Sequence, residues 1–197
     1  MKATALLRTV AACSLLAGVT QAQAQQDGAR AENSPLSRVP AVRAAKAAED
    51  GDGRVFGGKE AAKGAYPFQV ALLSSSALDD SPESQLNAQF CGGSLIAPGW
   101  VLTAAHCLVD YGEPIPADVV TVLTGATSLD EGARHAVAEV IVHPGYSEAT
   151  LDNDIGLLRL ADEADAPVIG ITDADVETGA ATVIGWGLME NGYFPVN

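Results

Sequence analysis

Short apolar runs, separated by turn residues, recur along the chain after residue 54. They are four to seven residues long, which favours β-strands over helices. We predict strands at 69–73, 93–96, 100–103, 119–123, 136–142, 155–160 and 181–184. Between the first two lies a polar, acidic stretch, 74–88, which we predict to be a long exposed loop. Several short strands at this spacing indicate an all-β fold, either an antiparallel barrel or a sandwich.

The first 24 residues have the pattern of a secretory signal peptide. Lys2 and Arg8 give a positive start, and the apolar stretch 10–19 is too short to span a bilayer. An A-x-A pattern ends at Ala24, which predicts cleavage between Ala24 and Gln25. The alternative is an uncleaved anchor. With cleavage, the protein is secreted, into the medium or a periplasm.

Residues 25–54 are rich in alanine, glutamine, arginine and small polar residues. They lack the bulky apolar residues that a core requires, so this segment is predicted to be a propeptide or linker. It ends in the acidic, glycine-containing stretch 49–53 followed by Arg54, a site that a protease can enter easily.

The charge is strongly negative, at −14 for the whole chain. From Val55 onward there are 4 Lys and Arg against 20 Asp and Glu, a balance of −16. Such a surface argues against nucleic acid and against an anionic membrane as partners once the signal peptide is gone. The simpler interpretation is that this negative charge keeps the protein soluble outside the cell.

Three cysteines are present, and Cys13 would leave with the signal peptide. The remaining pair, Cys91 and Cys107, is predicted to form a disulfide in an oxidising compartment, with two buried free thiols as the alternative. His135 and His143 form no metal-ligand spacing with carboxylates or cysteines, so we predict surface or turn positions for both. We expect no metal and no cofactor.

Four motifs occur in a fixed order between residue 55 and the end of the chain. They are Val55-Phe56-Gly57-Gly58 with Tyr66-Pro67-Phe68-Gln69-Val70; Phe90-Cys91-Gly92-Gly93-Ser94-Leu95-Ile96 with Trp100-Val101-Leu102-Thr103-Ala104-Ala105-His106-Cys107; Asp152-Asn153-Asp154-Ile155-Gly156-Leu157-Leu158-Arg159-Leu160; and Val183-Ile184-Gly185-Trp186-Gly187. In this order the set resembles the chymotrypsin-like, or trypsin-family, serine proteases.

The resemblance implies a chymotrypsin-like antiparallel β-barrel over 55–197, with the first barrel complete and the second only begun. It also implies that His106 is the general base and that Asp154 orients it. The chemistry is general: a serine hydroxyl needs a neighbouring imidazole to take its proton, and a carboxylate on the other ring nitrogen fixes the tautomer. The bridge from Cys91 to Cys107 would fasten the turn that carries His106.

The junction between Arg54 and Val55 resembles the family's activation site. Cleavage there by an activating protease would free the Val55 amino group, which in the family folds inward and orders the substrate pocket. The family usually begins with Ile-Val, so Phe56 departs from the pattern.

The family's nucleophile motif, Gly-Asp-Ser-Gly-Gly, is absent, and no serine follows Ser147. Thr172, Thr178 and Thr182 lack a glycine-rich turn, and the family counterpart of Ser94 is structural. The expectation is therefore a chain that stops before its nucleophile, oxyanion donors and specificity pocket, and that is inactive alone.

Two functions remain open at this point. The first is a truncated secreted serine endopeptidase whose full-length form cuts protein or peptide substrates by acyl transfer. The second is a non-catalytic, protease-like binding module or decayed gene product. Retention of both His106 and Asp154 favours the first, because a binding module has no chemical need for the pair.

Overall fold

Six strands close into one antiparallel barrel in the computed structural model, which describes residue 36, residues 59–174 and residues 178–187. In chain order the strands are β1 Gln69–Ser74, β2 Gln89–Ala97, β3 Trp100–Thr103, β4 Val109–Asp110, β5 Glu113–Pro114, β6 Val120–Thr124, β7 Ala133–Val142 and β8 Gly156–Leu160. The barrel order is β1-β2-β3-β8-β7-β6, and β4 pairs separately with β5. The prediction of an all-β antiparallel barrel is confirmed.

The predicted signal peptide (1–24), the cleavage site between Ala24 and Gln25, and the Arg54–Val55 junction lie outside the described residues. So does the propeptide or linker, 25–54, apart from residue 36. Among the residues that are described, no helix is long and apolar enough to cross a membrane.

Six of the seven predicted strands are present, with ends that differ by a few residues. The seventh, 181–184, is wrong: these residues form no strand, and Val183 is 94% exposed. A strand needs a partner for its backbone groups, and within the described ranges no strand pairs with this segment. The short pair β4 and β5 was not predicted, because two-residue strands leave no periodic signal.

β1 is buried on both faces, which explains its unbroken apolar sequence. Val70 and Leu72 point into the barrel, where they pack with Leu95, Val122 and Leu158. The alternate residues pack outside the barrel, in a second cluster whose members are Ala71, Leu73, Ala88, Leu123, Ala126, Leu129 and Trp186. The indole of Trp186 also donates a 2.7 Å hydrogen bond to the carbonyl of Thr127.

The stretch predicted as an exposed loop, 74–88, is partly buried and partly helical, so that prediction is wrong in part. It contains a 3₁₀ turn at Ser75–Ala77 and a short helix, α1, at Ser84–Ala88, whose Gln85 is buried. The guanidinium of Arg134 in β7 donates to the Gln85 side chain and to the carbonyls of Asp79 and Ser81. The loop is therefore held against the barrel by polar contacts that a hydrophobicity pattern does not reveal.

His135 is also not the surface or turn residue that was predicted. It lies in β7, 7% exposed, and its ring contacts the Thr124 hydroxyl at 3.0 Å and the Asp162 carboxylate at 2.9 Å. The strand begins at Ala133 rather than at Ala136, so the alternation of a barrel strand turns His135 inward. His143 is exposed after β7, as predicted.

Candidate active site

The strand register brings His106 and Asp154 together at one end of the barrel. β3 and β8 pair antiparallel, with Thr103 opposite Gly156. His106 lies three residues beyond Thr103, in the 3₁₀ turn Ala105–Cys107, and Asp154 lies two residues before Gly156. In an antiparallel pair, the end of one strand meets the start of the other. Two residues 48 positions apart in sequence thus become neighbours.

A disulfide fixes the turn that carries His106. Cys107 is bonded to Cys91 of β2, so the predicted bridge is present in the structure. The Thr103 hydroxyl adds a 2.8 Å hydrogen bond to the carbonyl of Gly92, the residue after Cys91. β2 and the end of β3 therefore hold the His106 turn from one side.

Close packing holds the same turn from the other side. Leu108 is completely buried, and a Cβ placed on Gly156 would lie 2.7 Å from Leu108 Cδ1 and 3.0 Å from the Ile141 carbonyl. Both distances are shorter than an ordinary contact between nonbonded heavy atoms. Gly156 is thus required for β8 to approach the segment that follows His106.

His106 and Asp154 make two direct hydrogen bonds. The His106 backbone N–H donates to Asp154 Oδ1 at 2.8 Å, and the ring Nδ1 lies 2.7 Å from Oδ2. Because an ionised carboxylate only accepts, Nδ1 carries the hydrogen, and the neutral ring presents an unprotonated Nε2. The His106 side chain is 53% exposed and that of Asp154 is 24% exposed. The arrangement thus offers an accessible base held in one tautomer by a partly covered acid.

Two opposing influences set the pKa of Asp154. Burial acts to raise the pKa, because it disfavours the charged form. Hydrogen bonds from the His106 side chain, from the His106 backbone and from the Ala105 backbone, together with the nearby imidazole, act to lower it. Together the hydrogen bonds and the imidazole outweigh the effect of burial, so the pKa of Asp154 lies below its usual value. The carboxylate is therefore ionised at neutral pH.

The loop before Asp154 presents a second titratable group, Tyr146. Its hydroxyl oxygen is buried, and among the described residues it has no hydrogen-bond partner. Burial, and then the negative charges of Asp154 and Glu148, raise the pKa of this phenol. Tyr146 is thus a neutral group beside the acid.

Cys91, His106 and Cys107 place three potential metal ligands within 4.8 Å of one another. Both sulfurs are consumed by the disulfide, however, and a metal ligand must be a thiolate. The cluster is thus not a ligand set in the oxidised protein. Within the described part of the chain, no serine or threonine hydroxyl is hydrogen-bonded to the His106 ring.

His135, elsewhere in the barrel, also has an aspartate on Nδ1, that of Asp162, and in addition it has the Thr124 hydroxyl on Nε2. Thr124 is only 3% exposed and lies within β6, so no substrate can reach its hydroxyl. Of the two histidines that contact an aspartate, His106 is the accessible one and is therefore the one suited to chemistry.

The family model described as Trypsin matches residues 55–196. The chain belongs to the trypsin family. His106 and Asp154 both lie in the matched region, as do all eight strands.

Similar proteins agree with this assignment. The chain is 40% identical over 144 residues to "Serine protease SP24D" of Anopheles gambiae, covering 71% of this chain and 48% of that protein. It is 32% identical over 147 residues to "Trypsin epsilon" of Drosophila erecta, covering 72% and 52%. The solved structure "Secreted serine protease VesC from Vibrio cholerae" matches with a TM-score of 0.50 and 31% identity, over 60% of this chain and 24% of that one. This trypsin-family chain spans about half the length of the curated relatives it matches.

Asn153 and Gly156 are two residues of the site that the sequence analysis did not single out. Asn153 has a left-handed backbone (φ 54°), and Gly156 allows the close approach described above. Both lie beside Asp154 in the motif 152–160. The signal available in the sequence was an asparagine or glycine close to a candidate catalytic residue, since these residue types favour turns and close backbone approach.

Proposed function

We propose that this chain is the first-barrel portion of a secreted serine endopeptidase, which hydrolyses protein or peptide substrates by acyl transfer. In this proposal His106 is the general base and Asp154 orients it. The single observation that carries the proposal is the pair of hydrogen bonds from His106 to the two oxygens of Asp154. The family membership of residues 55–196 supports the same roles.

The reaction begins when the unprotonated Nε2 of His106 takes the proton of a serine hydroxyl as that oxygen attacks the scissile carbonyl. Asp154 then stabilises the resulting imidazolium, because its Oδ2 already accepts the Nδ1 hydrogen. The proton passes from Nε2 to the leaving amine, and water later releases the acyl group by the same route. The described residues contribute the base and its orienting acid to this sequence.

We further propose that these 197 residues alone do not hydrolyse peptides. No serine follows Ser147, and the family's Gly-Asp-Ser-Gly-Gly motif does not occur in the sequence. Thr172, Thr178 and Thr182 are all exposed in segments without regular structure, so none has a rigid turn to present its hydroxyl. Without a nucleophile and oxyanion donors, the pair has nothing to activate.

Secretion is proposed from the N-terminal sequence, which has the features of a signal peptide ending at Ala24. The disulfide between Cys91 and Cys107 supports this, because such bonds persist in oxidising compartments. The similar Vibrio cholerae protein is described as secreted. Activation is proposed to follow cleavage between Arg54 and Val55, where the family match begins.

A fluorophosphonate probe, which labels activated serines covalently, tests the proposal. The 197-residue chain should not be labelled. A version completed by the gene's own Gly-Asp-Ser-Gly-Gly segment should be labelled and should cleave peptide amides. In well-studied members of this family, replacing the aspartate by asparagine lowers kcat by about 10⁴-fold, and we expect a similar loss for Asp154→Asn in the completed protein.

Two results would contradict the proposal. Labelling of the 197-residue chain that disappears in His106→Ala would mean that a nucleophile is already present. A gene with no Gly-Asp-Ser-Gly-Gly segment in any reading frame downstream would favour the non-catalytic binding module. Loss of activity in His106→Ala, but not in the exposed-site control Asn87→Ala on α1, would support His106 as the base.

A further inference from the structure

The backbone immediately before Asp154 has an uncommon conformation. Leu151 and Asn153 have left-handed φ values of 58° and 54°. Asparagine adopts this conformation readily, whereas leucine does so at a cost. The Ile155 N–H donates to the Asn153 carbonyl at 2.7 Å, so Asp154 is the central residue of a three-residue turn. The direction of the Asp154 side chain is set by this turn.

The side chain of Asn153 ties the turn to the preceding loop. Its Nδ2 donates a 2.8 Å hydrogen bond to the Gly145 carbonyl. A Cβ on Gly145 would lie 3.1 Å from that same nitrogen, so the glycine lets the amide approach. The Gly145 N–H in turn donates to Nδ1 of His143 at 3.1 Å. Asn153 therefore joins the turn that contains Asp154 to the backbone at Gly145 through a single amide.

The loop between residues 145 and 153 is also closed by hydrogen bonds that do not involve Asn153. Ser147 N–H donates to the Asp152 carbonyl at 3.1 Å, and Leu151 N–H donates to the Ser147 carbonyl at 2.7 Å. The Thr150 hydroxyl also donates to the Asp152 carboxylate at 2.8 Å. Removing the Asn153 amide should leave this loop intact and release only the turn that contains Asp154.

We propose that Asn153 is a positioning residue for the His106–Asp154 pair. Its left-handed backbone leads into the turn, and its amide anchors that turn to Gly145. Both oxygens of Asp154 are then directed at His106, one to the backbone N–H and the other to the ring. Two simultaneous bonds fix both the place and the rotation of the carboxylate, and a displacement of about 1 Å would lose them. This inference deepens the proposed function, since it concerns the same pair.

The test uses nuclear magnetic resonance on the full 197-residue chain, so it needs no hydrolysis. Two signals report on the pair: the low-field resonance of the His106 Nδ1 hydrogen, and the titration of the Asp154 carboxyl carbon. In Asn153→Ala the ratio of bonded to unbonded pair should fall by about two- to tenfold, the factor that one net hydrogen bond contributes. The Nδ1 signal should weaken, and Asp154 should titrate at a higher pH because bonds that lower its pKa are lost.

Three further variants separate positioning from a general effect on folding. Asn153→Gly keeps the left-handed backbone and removes only the amide, so it should weaken both signals while the barrel stays folded. Leu151→Gly alters a neighbouring left-handed residue, and Asn87→Ala removes an exposed amide on α1; both should leave the signals unchanged.

Wild-type signals in folded Asn153→Ala would overturn the inference, and so would an equal loss in Leu151→Gly. If Asn153→Ala does not fold, Asn153→Gly decides by the same criterion. Because these readouts follow the pair rather than peptide cleavage, the inference and the proposed function can fail separately.

Discussion

Gly156→Ala adds one methyl group at the point where β8 passes the segment after His106. The new carbon would lie 2.7 Å from Leu108 Cδ1 and 3.0 Å from the Ile141 carbonyl oxygen, whereas carbon atoms normally approach to about 3.5–4.0 Å. Leu108 is completely buried and must therefore move by roughly 1 Å within a packed core. The Ile141 carbonyl belongs to β7, which pairs with β8, so it cannot retreat without disturbing that register.

Overpacking of this kind costs about 1–3 kcal/mol of unfolding free energy. With a urea m-value of about 1–3 kcal/mol/M, the midpoint of urea unfolding should fall by roughly 1 M. Gly99→Ala is the matched control, because a Cβ there meets no atom within 4 Å and the residue is not left-handed. That variant should be unchanged or more stable by about 0.4–1 kcal/mol.

A second change identifies the contact responsible. Leu108→Val shortens the side chain that collides, so Gly156→Ala should be less harmful in that background than in the wild type. Strict additivity of the two changes, or equal midpoints for Gly156→Ala and Gly99→Ala, would refute the packing argument.

Three other variants test separate parts of the structure. Replacing Cys91 and Cys107 together by alanine should lower the free energy of unfolding by about 3 kcal/mol, given a sequence separation of 16, and an unchanged urea midpoint would contradict this. Thr124→Val leaves Nε2 of the buried His135 without its partner and should cost about 1–3 kcal/mol by the same assay, whereas wild-type stability would show that the bond contributes nothing. The pKa of folded Asp154 lies below its ordinary value of 3.8, so its contribution to stability is complete above that value and is lost as the pH falls through the folded-state pKa. Below about pH 4, the free energy of unfolding of Asp154→Asn should therefore fall less steeply with pH than that of the wild type. An identical fall in the two proteins would count against this reasoning.

The barrel was predictable because its strands carry a strong local signal. β3 is predicted to the residue, and β1 and β6 differ from prediction by one residue at one or both ends. Apolar runs bounded by turns are imposed by burial on the inner face of the barrel, so they are visible in the sequence. The candidate base and acid were found differently, through motifs that resemble a known family.

The wrong predictions share a cause, because the conformations of these residues depend on partners that are distant in sequence. His135 looks like a surface residue between Arg134 and Ala136, yet Thr124 and Asp162 satisfy both ring nitrogens and allow its burial. Residues 181–184 have strand-like composition, but pairing decides whether a strand forms. Side-chain hydrogen bonds across more than ten positions leave no periodic trace in a sequence.

The position of Trp186 makes tryptophan fluorescence a local reporter in this protein. The sequence has only two tryptophans, and Trp186 is 7% exposed against the outer face of β1, with its indole N–H on Thr127. Trp100 lies within β3, in the barrel wall. In a Trp100→Phe variant, all indole emission would come from Trp186. A shift of that emission to longer wavelength would then report when the segment around residue 186 leaves β1, independently of whether the barrel itself has opened.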